Sequence, residues 1–417
     1  MSGPAAAPEP PGRGLRPGEL SSVALAFGGF FLLLCSYYIL RPVRDTMGVQ
    51  TGVEHLHWLF TGTFVFTLVT VPLFGAVVKR VRRARLLPAV YGFVIANLLG
   101  FAAAFAAGAG TAAAAAFFIW LSVFNLFVVS LFWSKVSDSF STEQSHRLYG
   151  YIAAGGTVGA LAGPALTAAL ARHVDTAVLL LCSAALLAAA ALCLSGLRRG
   201  APRAGDEAAA RPIGGAILAG VSLTLKLPNL RAIALLVICY SAVSTVLYVE
   251  LADAVGRRYA DSGVRTAFFA GIDLTVNALT LTLQLLGTRR IVQRSGLRAA
   301  LSLVPALVLT GLTLLTAWRG ALPLAAVQTL HRAGDYALMR PGREMIYTTV
   351  NAESRYKAKN FIDTAVYRAN DAASAWLVAL LRGAGLDAVA LLGLPAALLW
   401  LLTGFRVGRR HDRHEPT

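Results

Sequence analysis

Charge is what this 417-residue chain has least of: Asp, Glu, Lys and Arg make up 14% of it, against 56% apolar residues. A soluble domain carries about 25% charged residues, so a fully water-exposed surface is excluded. Acid is scarcer than base, with 21 Asp and Glu to 38 Lys and Arg and a net charge of +17. Cysteine is rare as well. Cys35, Cys182, Cys193 and Cys239 all lie in apolar runs with no framework or metal-ligand spacing, and they read as small membrane hydrophobes. There is no Ser-His-Asp order, no Walker sequence and no metal-ligand motif, which argues against an enzyme and implies no cofactor. Ten-residue segments of alternating hydrophobicity are missing too, which excludes a transmembrane barrel.

What is present is a series of long apolar runs. Each is near the roughly 20 residues that cross a bilayer core as a helix. They fall at 20–42, 56–78, 86–108, 112–135, 149–171, 175–197, 230–252, 265–287, 299–318, 320–340, 361–382 and 386–406. The expected fold is all-α: a polytopic membrane protein of about twelve transmembrane helices. The first run is longer than the apolar core of a signal peptide and no small-residue cleavage site ends it, so it is expected to remain as span 1.

Basic residues set the orientation. Lys79–Arg85, then Arg198, Arg199, Arg203 and Arg211, then Arg289–Arg298, then Arg355, Lys357 and Lys359, and finally Arg406, Arg409 and Arg410 fall on one side. Arg257 and Arg258 are the main exceptions. The positive-inside rule then places both termini in the cytoplasm of a cell whose inner membrane holds the chain. Scattered as short flanks, these bases do not form a nucleic-acid patch.

Residues 198–229 switch to Arg, Gly, Pro, Ala and acid, the longest polar interruption and a linker by composition. The expected organisation is a disordered cytoplasmic tail at 1–19, a six-helix bundle at 20–197, the cytoplasmic linker 198–229, a second six-helix bundle at 230–406 and a cytoplasmic tail at 407–417. The halves echo each other weakly at an offset of about 210, as internal repeats of transporters do. Basic junctions follow spans 2 and 8, and Ser145–Tyr149 stands opposite Tyr356–Asn360. This six-plus-six plan resembles the major facilitator architecture. The loop signature of that superfamily is degenerate: Gly75 and Arg80 fit, while Lys79 replaces the Asp and Arg82 a Gly.

Ionised side chains inside apolar spans face a wet cavity or a partner, because burial in lipid costs at least a few kcal/mol. On span 1, Tyr37, Arg41, Arg44 and Asp45 share one helical face, with Tyr38 beside them. Two readings stand. The stripe lines a polar path, or Pro42 ends the helix and Arg44 and Asp45 anchor at the interface. On span 8, Asp273, Asn277, Thr280 and Gln284 make a polar stripe that lines a cavity or a helix seam. Asp273 there either couples protons or pairs an Arg across the cavity.

Span 10 and its exit supply Gln328, His331, Arg332, Asp335, Tyr336, Arg340, Arg343, Glu344 and Tyr347. Span 11 supplies Asp363, Tyr367, Arg368, Asn370, Asp371 and Ser374. Arg332–Asp335 and Arg368–Asp371 are i,i+3 pairs that lock helices in one reading. In the other, the arginines left over bind an anionic ligand with their planar forks. Gly155-Gly156-Thr157-Val158-Gly159, followed by Gly163-Pro164, looks like a phosphate loop but lacks a Lys-Ser/Thr ending and a preceding strand. It reads as a close helix contact.

Three stretches carry a more specific likeness: Tyr37–Asp45 (YYILRPVRD), Phe132–Leu161 (FWSKVSDSFSTEQSHRLYGYIAAGGTVGAL) and Arg340–Trp376 (RPGREMIYTTVNAESRYKAKNFIDTAVYRANDAASAW). They resemble the ATP/ADP antiporter family, the nucleotide transporters of plastids and intracellular bacteria, and above all its bacterial relatives. The likeness implies alternating-access exchange of a nucleotide or other organic anion, with the lipid bilayer and the anionic small molecule as partners and the monomer as working unit. A family cation before an Asp in span 1 corresponds to Arg44, ahead of Asp45. Another, in a Pro-x-Lys-Glu-Met pattern, corresponds to Arg343, ahead of Glu344 and Met345. Both are Arg here, which keeps the charge and changes geometry and hydration. On this reading Arg41, Arg44 and Arg343 hold phosphate oxygens, and Tyr37, Tyr38 and Tyr240 stack or bound the cavity. Asp45, Glu250, Asp273 and Asp371 balance the empty site, which is lined by spans 1, 4, 7, 8, 10 and 11.

Overall fold

The computed structural model describes residues 15–16, 18–197, 217–348, 350–351 and 357–414. Among them the chain is helical and has no strand. In order come α1 (Leu20–Gln50), α2 (Leu56–Arg80), α3 (Arg83–Ala106), α4 (Thr111–Ser139), α5 (Thr142–Leu170), α6 (Thr176–Gly196) and α7 (Ile217–Lys226). The second series is α8 (Pro228–Arg258), α9 (Ser262–Leu283), α10 (Arg289–Ala317), α11 (Ala321–Gly334), α12 (Arg340–Tyr347), α13 (Tyr367–Gly383) and α14 (Leu394–His414). Ten of the described helices are long and apolar enough to cross a membrane, which makes this an integral membrane protein. The other two expected spans, 320–340 and 361–382, are helical runs broken by π-helical turns. Asp335–Met339 joins α11 to α12, and Phe361–Val366 leads from 357–360 into α13. Both carry the charges that keep them out of the apolar count.

Several boundaries differ from expectation. Pro42 does not end α1, which runs on to Gln50 with Asp45 buried, so the expected helix end at Pro42 is corrected. Neighbouring helices can satisfy the backbone groups that a proline frees. The basic junction after span 8 is helical: a π turn at Gln284–Thr288 runs into α10, which breaks at Gly296, where φ is +74°. The carboxylate of Asp412, in the expected C-terminal tail, accepts the backbone N–H groups of Leu297 (2.9 Å) and Arg298 (3.1 Å). It caps the resumed helix as an N-cap side chain would. Of the expected linker, α7 is helical and residues 198–216 lie outside the described residues, as do 1–14, 17, Arg355, Tyr356 and 415–417.

The glycine-rich stretch lies in the middle of α5, which starts with a capping box of Ser141 and Gln144. A Cβ on Gly155 would stand 2.4 Å from the Phe27 carbonyl oxygen, one on Gly159 2.3 Å from that of Phe31, and one on Gly163 2.6 Å from that of Cys35. Backbone therefore meets backbone along α1 and α5, the close approach that small residues allow between membrane helices. The buried apolar side chains form two clusters. One is drawn mostly from α1 and α3–α6, and the other mostly from α8–α14, around Trp400 and Tyr347.

The start of α1 is tied to the start of α5. Arg147 donates to Glu19 (2.8 Å), as do Gln144 (3.1 Å) and the backbone of Arg16 (3.0 Å). The Arg147 bond, helped by Arg16, holds the Glu19 carboxyl down at about 2. A depressed carboxyl stabilises the fold above its unfolded value, near 4.5, and that contribution fades as pH falls toward 2. Glu19→Gln should therefore lower the melting temperature at pH 7 by a margin that holds down to about pH 4.5 and narrows below it. A margin that stayed constant to pH 3 would refute the ion-pair account.

Candidate functional site

Between the two series of helices lies a cavity of about 870 Å³, within the roughly 300–1,000 Å³ usual for small-molecule sites. Tyr37, Tyr38, Arg41 and Arg44 all line it from α1, as their helical spacing requires. Arg41 lies 5.9 Å over the Tyr38 ring and Arg44 5.3 Å over Phe118. Asn277, Thr280 and Gln284 line it from α9 and the following turn, while Asn277 also donates to the Ala160 carbonyl at 2.6 Å. Both readings of that stripe hold, each for part of its length. Arg332 comes from α11, Tyr336 from the π turn after it and Arg340, Arg343 and Glu344 from α12, while Asp363 comes from the π turn Phe361–Val366 and Tyr367, Arg368 and Asp371 from α13. Tyr240 is on the wall as expected, and α2 and α5 join the six helices named from the sequence.

Four of the carboxylates are deeply buried. Asp45, Asp273, Asp335 and Asp371 are at most 6% exposed, whereas the Arg340 side chain is 53% exposed. Arg44 holds Asp45 at 2.6 Å, with Tyr248 donating to the same oxygen at 3.3 Å. Arg332 holds Asp273 at 2.6 Å, and Arg41 approaches its other oxygen at 3.7 Å. Arg343 lies 3.6 Å from Asp363, and Arg368 3.6 Å from Asp371, which accepts from Ser241 (2.8 Å) and Thr245 (3.4 Å). Arg41, Arg44, Arg332, Arg340 and Arg368 are each more exposed than the acid they face, whereas Asp363, at 38%, is more exposed than Arg343, at 15%.

Three expectations are corrected. Arg332 and Asp335 do not pair; Asp335 takes Arg340 at 2.8 Å. These two are i and i+5, neighbours on the π turn between them, which frees Arg332 for Asp273. Glu250 does not balance the cavity. It faces a separate pocket with Asp253 and Arg257, 3.8 Å from Arg382. Tyr240, Ser244 and Tyr248 occupy the cavity face of α8, and two residues past Tyr248 is about 200° round the helix. His331 is buried away from the site, stacked on Tyr240 at 4.6 Å with Trp400 at its edge.

The sequence reading missed Ser122, Asn125, Tyr248 and, as a wall residue, Lys359. Ser122 and Asn125 gave a usable signal, being polar at i,i+3 in an apolar run. Tyr248 continues the spacing Tyr240-Ser244.

Contacts between the two series lie at mid-helix or toward the end remote from Leu20. Thr46 and Thr266 hydroxyls meet at 2.8 Å, and Arg368 donates to the Ser122 carbonyl at 3.1 Å. Trp376 donates to Thr61 at 3.0 Å and packs on His57 and Trp58. Toward the other end, Phe30, Arg343 and Lys359 line the cavity.

A helical membrane protein with a charged central cavity, gathered shut at one end, has the build of a secondary transporter. The chain belongs to the Major Facilitator Superfamily, whose family model matches residues 26–339. Among solved structures, a mutant of the nucleoside transporter NupG is similar, at 13% identity and a TM-score of 0.69 over 93% of this chain and 98% of that one. A bacterial homologue of the human lysosomal transporter Spinster, inward-facing and unoccupied, has 13% identity and a TM-score of 0.63 over 97% and 100%. The human organic anion transporter MFSD10 (TETRAN) has 17% identity and 0.58 over 94% and 100%. At these identities the likeness is one of fold. No curated protein is similar to this chain in sequence.

Proposed function

We propose that this transporter moves an organic anion, a nucleotide in ATP/ADP-type exchange, by alternating access. One observation carries the reading: Arg44 and Arg343, the counterparts of the antiporter family's two cations, line the same cavity as Arg41, Arg340, Tyr37, Tyr38 and Tyr240. Phosphate oxygens would sit against the arginines and the base against Tyr37, Tyr38 or Tyr240, since aromatic faces and guanidinium forks suit those groups. The printed functions of NupG and MFSD10, nucleoside and organic anion transport, fit this substrate class.

The six-helix bundles 20–197 and 230–406 would rock about the site, and the two apolar clusters suit two such bodies. With both termini cytoplasmic in a bacterial inner membrane, the end of the cavity lined by Phe30, Arg343 and Lys359 would face the cytoplasm. A single chain encloses the whole cavity, so the monomer is the proposed working unit. Empty, the cavity holds cations that resist passage through a closed state. A bound anion offsets their desolvation cost, and this makes reorientation depend on cargo.

The second reading is a proton-coupled carrier of another solute, favoured by Asp371, a 4%-exposed carboxylate on the cavity wall. Purified protein in liposomes preloaded with ADP separates them. Exchange predicts uptake of labelled ATP that needs internal nucleotide and drops at least about tenfold in Arg343→Ala, the loss of about 1.4 kcal/mol of anion contact. Uptake driven by a proton gradient in nucleotide-free vesicles supports the second reading, and no ATP uptake by folded protein ends the first.

A further inference from the structure

We propose that Asp273 is a tethered anion occupying a two-arginine subsite, and that cargo binds there by displacing it. The proposal rests on the anion-transport reading above and names the subsite within that cavity. Asp273 is 1% exposed and belongs to α9, yet its two partners come from different helices on different sides of the cavity. Arg332 grips Oδ1 at 2.6 Å from α11, while Arg41 of α1 stops 3.7 Å from Oδ2.

The grip is incomplete. Arg41 Nε, Arg332 Nε and Asp273 Oδ2 are all buried without a hydrogen-bond partner among the described residues. One carboxylate charge thus faces two guanidinium groups whose donors it does not satisfy. A buried donor left unmade is expensive, and more so when it belongs to a charged group. Both arginines also line the cavity, whereas Asp273 is set back from it. An oxyanion entering from the open end can reach the same donors and supply the acceptors that they lack.

Two consequences follow from this geometry. The site has a built-in competitor, so cargo affinity is held down and release is kept fast. The carboxylate also bridges helices from both series, so its displacement alters a contact between them at the moment cargo arrives. A purely structural ion pair would do neither.

The test uses purified full-length protein, with binding of ATP and of inorganic pyrophosphate measured by calorimetry and exchange measured in liposomes. Asp273→Asn should bind both anions at least tenfold more tightly than the parent protein while turning over more slowly, lowering KM and kcat together. Because this variant leaves two buried arginines facing an amide, a charge-matched second variant guards against misfolding. Asp273→Asn with Arg332→Gln should bind pyrophosphate at least as well as the parent, and Arg332→Gln alone, with Arg41 still neutralised by Asp273, tenfold worse.

Folded Asp273→Asn that binds no tighter, or Arg332→Gln equal to the double variant, overturns the proposal even if ATP exchange is robust. Tightening toward pyrophosphate in a protein that ignores ATP supports the proposal and removes the nucleotide reading. Failure of both anions to bind any of the variants overturns the proposal and the nucleotide reading together.

Discussion

Arg44→Ala is expected to abolish anion exchange, by a hundredfold or more, and to weaken the fold as well. Arg44 reaches Asp45 with two N–H groups, at 3.0 and 2.6 Å, and lies on the cavity wall. Removing it strips a cation from the site and leaves a 6%-exposed carboxylate with only the Tyr248 hydroxyl. Breaking a buried pair from one side costs about 3–5 kcal/mol, so lost transport by this variant alone would be ambiguous. Arg44→Ala with Asp45→Asn removes the orphan charge. That double variant should recover the thermal stability of the parent and still not exchange. Arg44→Lys should fold and keep partial transport, because charge stays while the forked geometry is lost. Exchange at near-parent rates in the folded double variant would remove Arg44 from the binding site.

The largest effect on stability is expected at Gly159. A side chain there would start 2.3 Å from the Phe31 carbonyl oxygen and 3.1 Å from the Cys35 nitrogen. Both obstacles are backbone, so no rotamer change relieves the clash and α1 must move off α5 along its length. The cost should exceed the roughly 1–3 kcal/mol of ordinary overpacking. Gly159→Leu should give no monodisperse protein on size exclusion of detergent extracts. Gly150→Leu, on the same helix with open space where its Cβ would be, should behave as the parent. Equal yields of the two would show that the α1–α5 contact is looser than the backbone geometry implies.

Much of the site was legible in the residues because helices impose a simple rule: a polar side chain every third or fourth position in an apolar run marks one wall. Tyr37, Arg41 and Arg44 follow it, as do Asn277, Thr280 and Gln284, and all line the cavity. The glycines of α5 were readable for the same reason, as a stripe of one face. What periodicity does not carry is the partner across space. Spacing offers Arg332 the partner Asp335, three residues away, but in the fold it takes Asp273 from another helix. The π turn responsible adds a residue to the helical repeat and leaves no mark in composition. Glu250 was assigned to the cavity by its charge alone, and its helical phase relative to Tyr248 excluded it. Pro42 shows the opposite failure, a local rule for soluble helices overridden in α1.

The π turns have a mechanical meaning. Among the described residues they fall at Gln284–Thr288, Asp335–Met339, Phe361–Val366 and Val389–Gly393, all in the second series of helices. The first series has the glycine seam between α1 and α5, and α10 and α14 meet as closely at Gly404 and Gly408. A π turn is a helix carrying one residue of slack, able to pass that residue along the axis without breaking the rod. That slack is confined to helices of the second series, and two of the four turns lie in the segments that present Tyr336, Arg340 and Asp363 to the cavity.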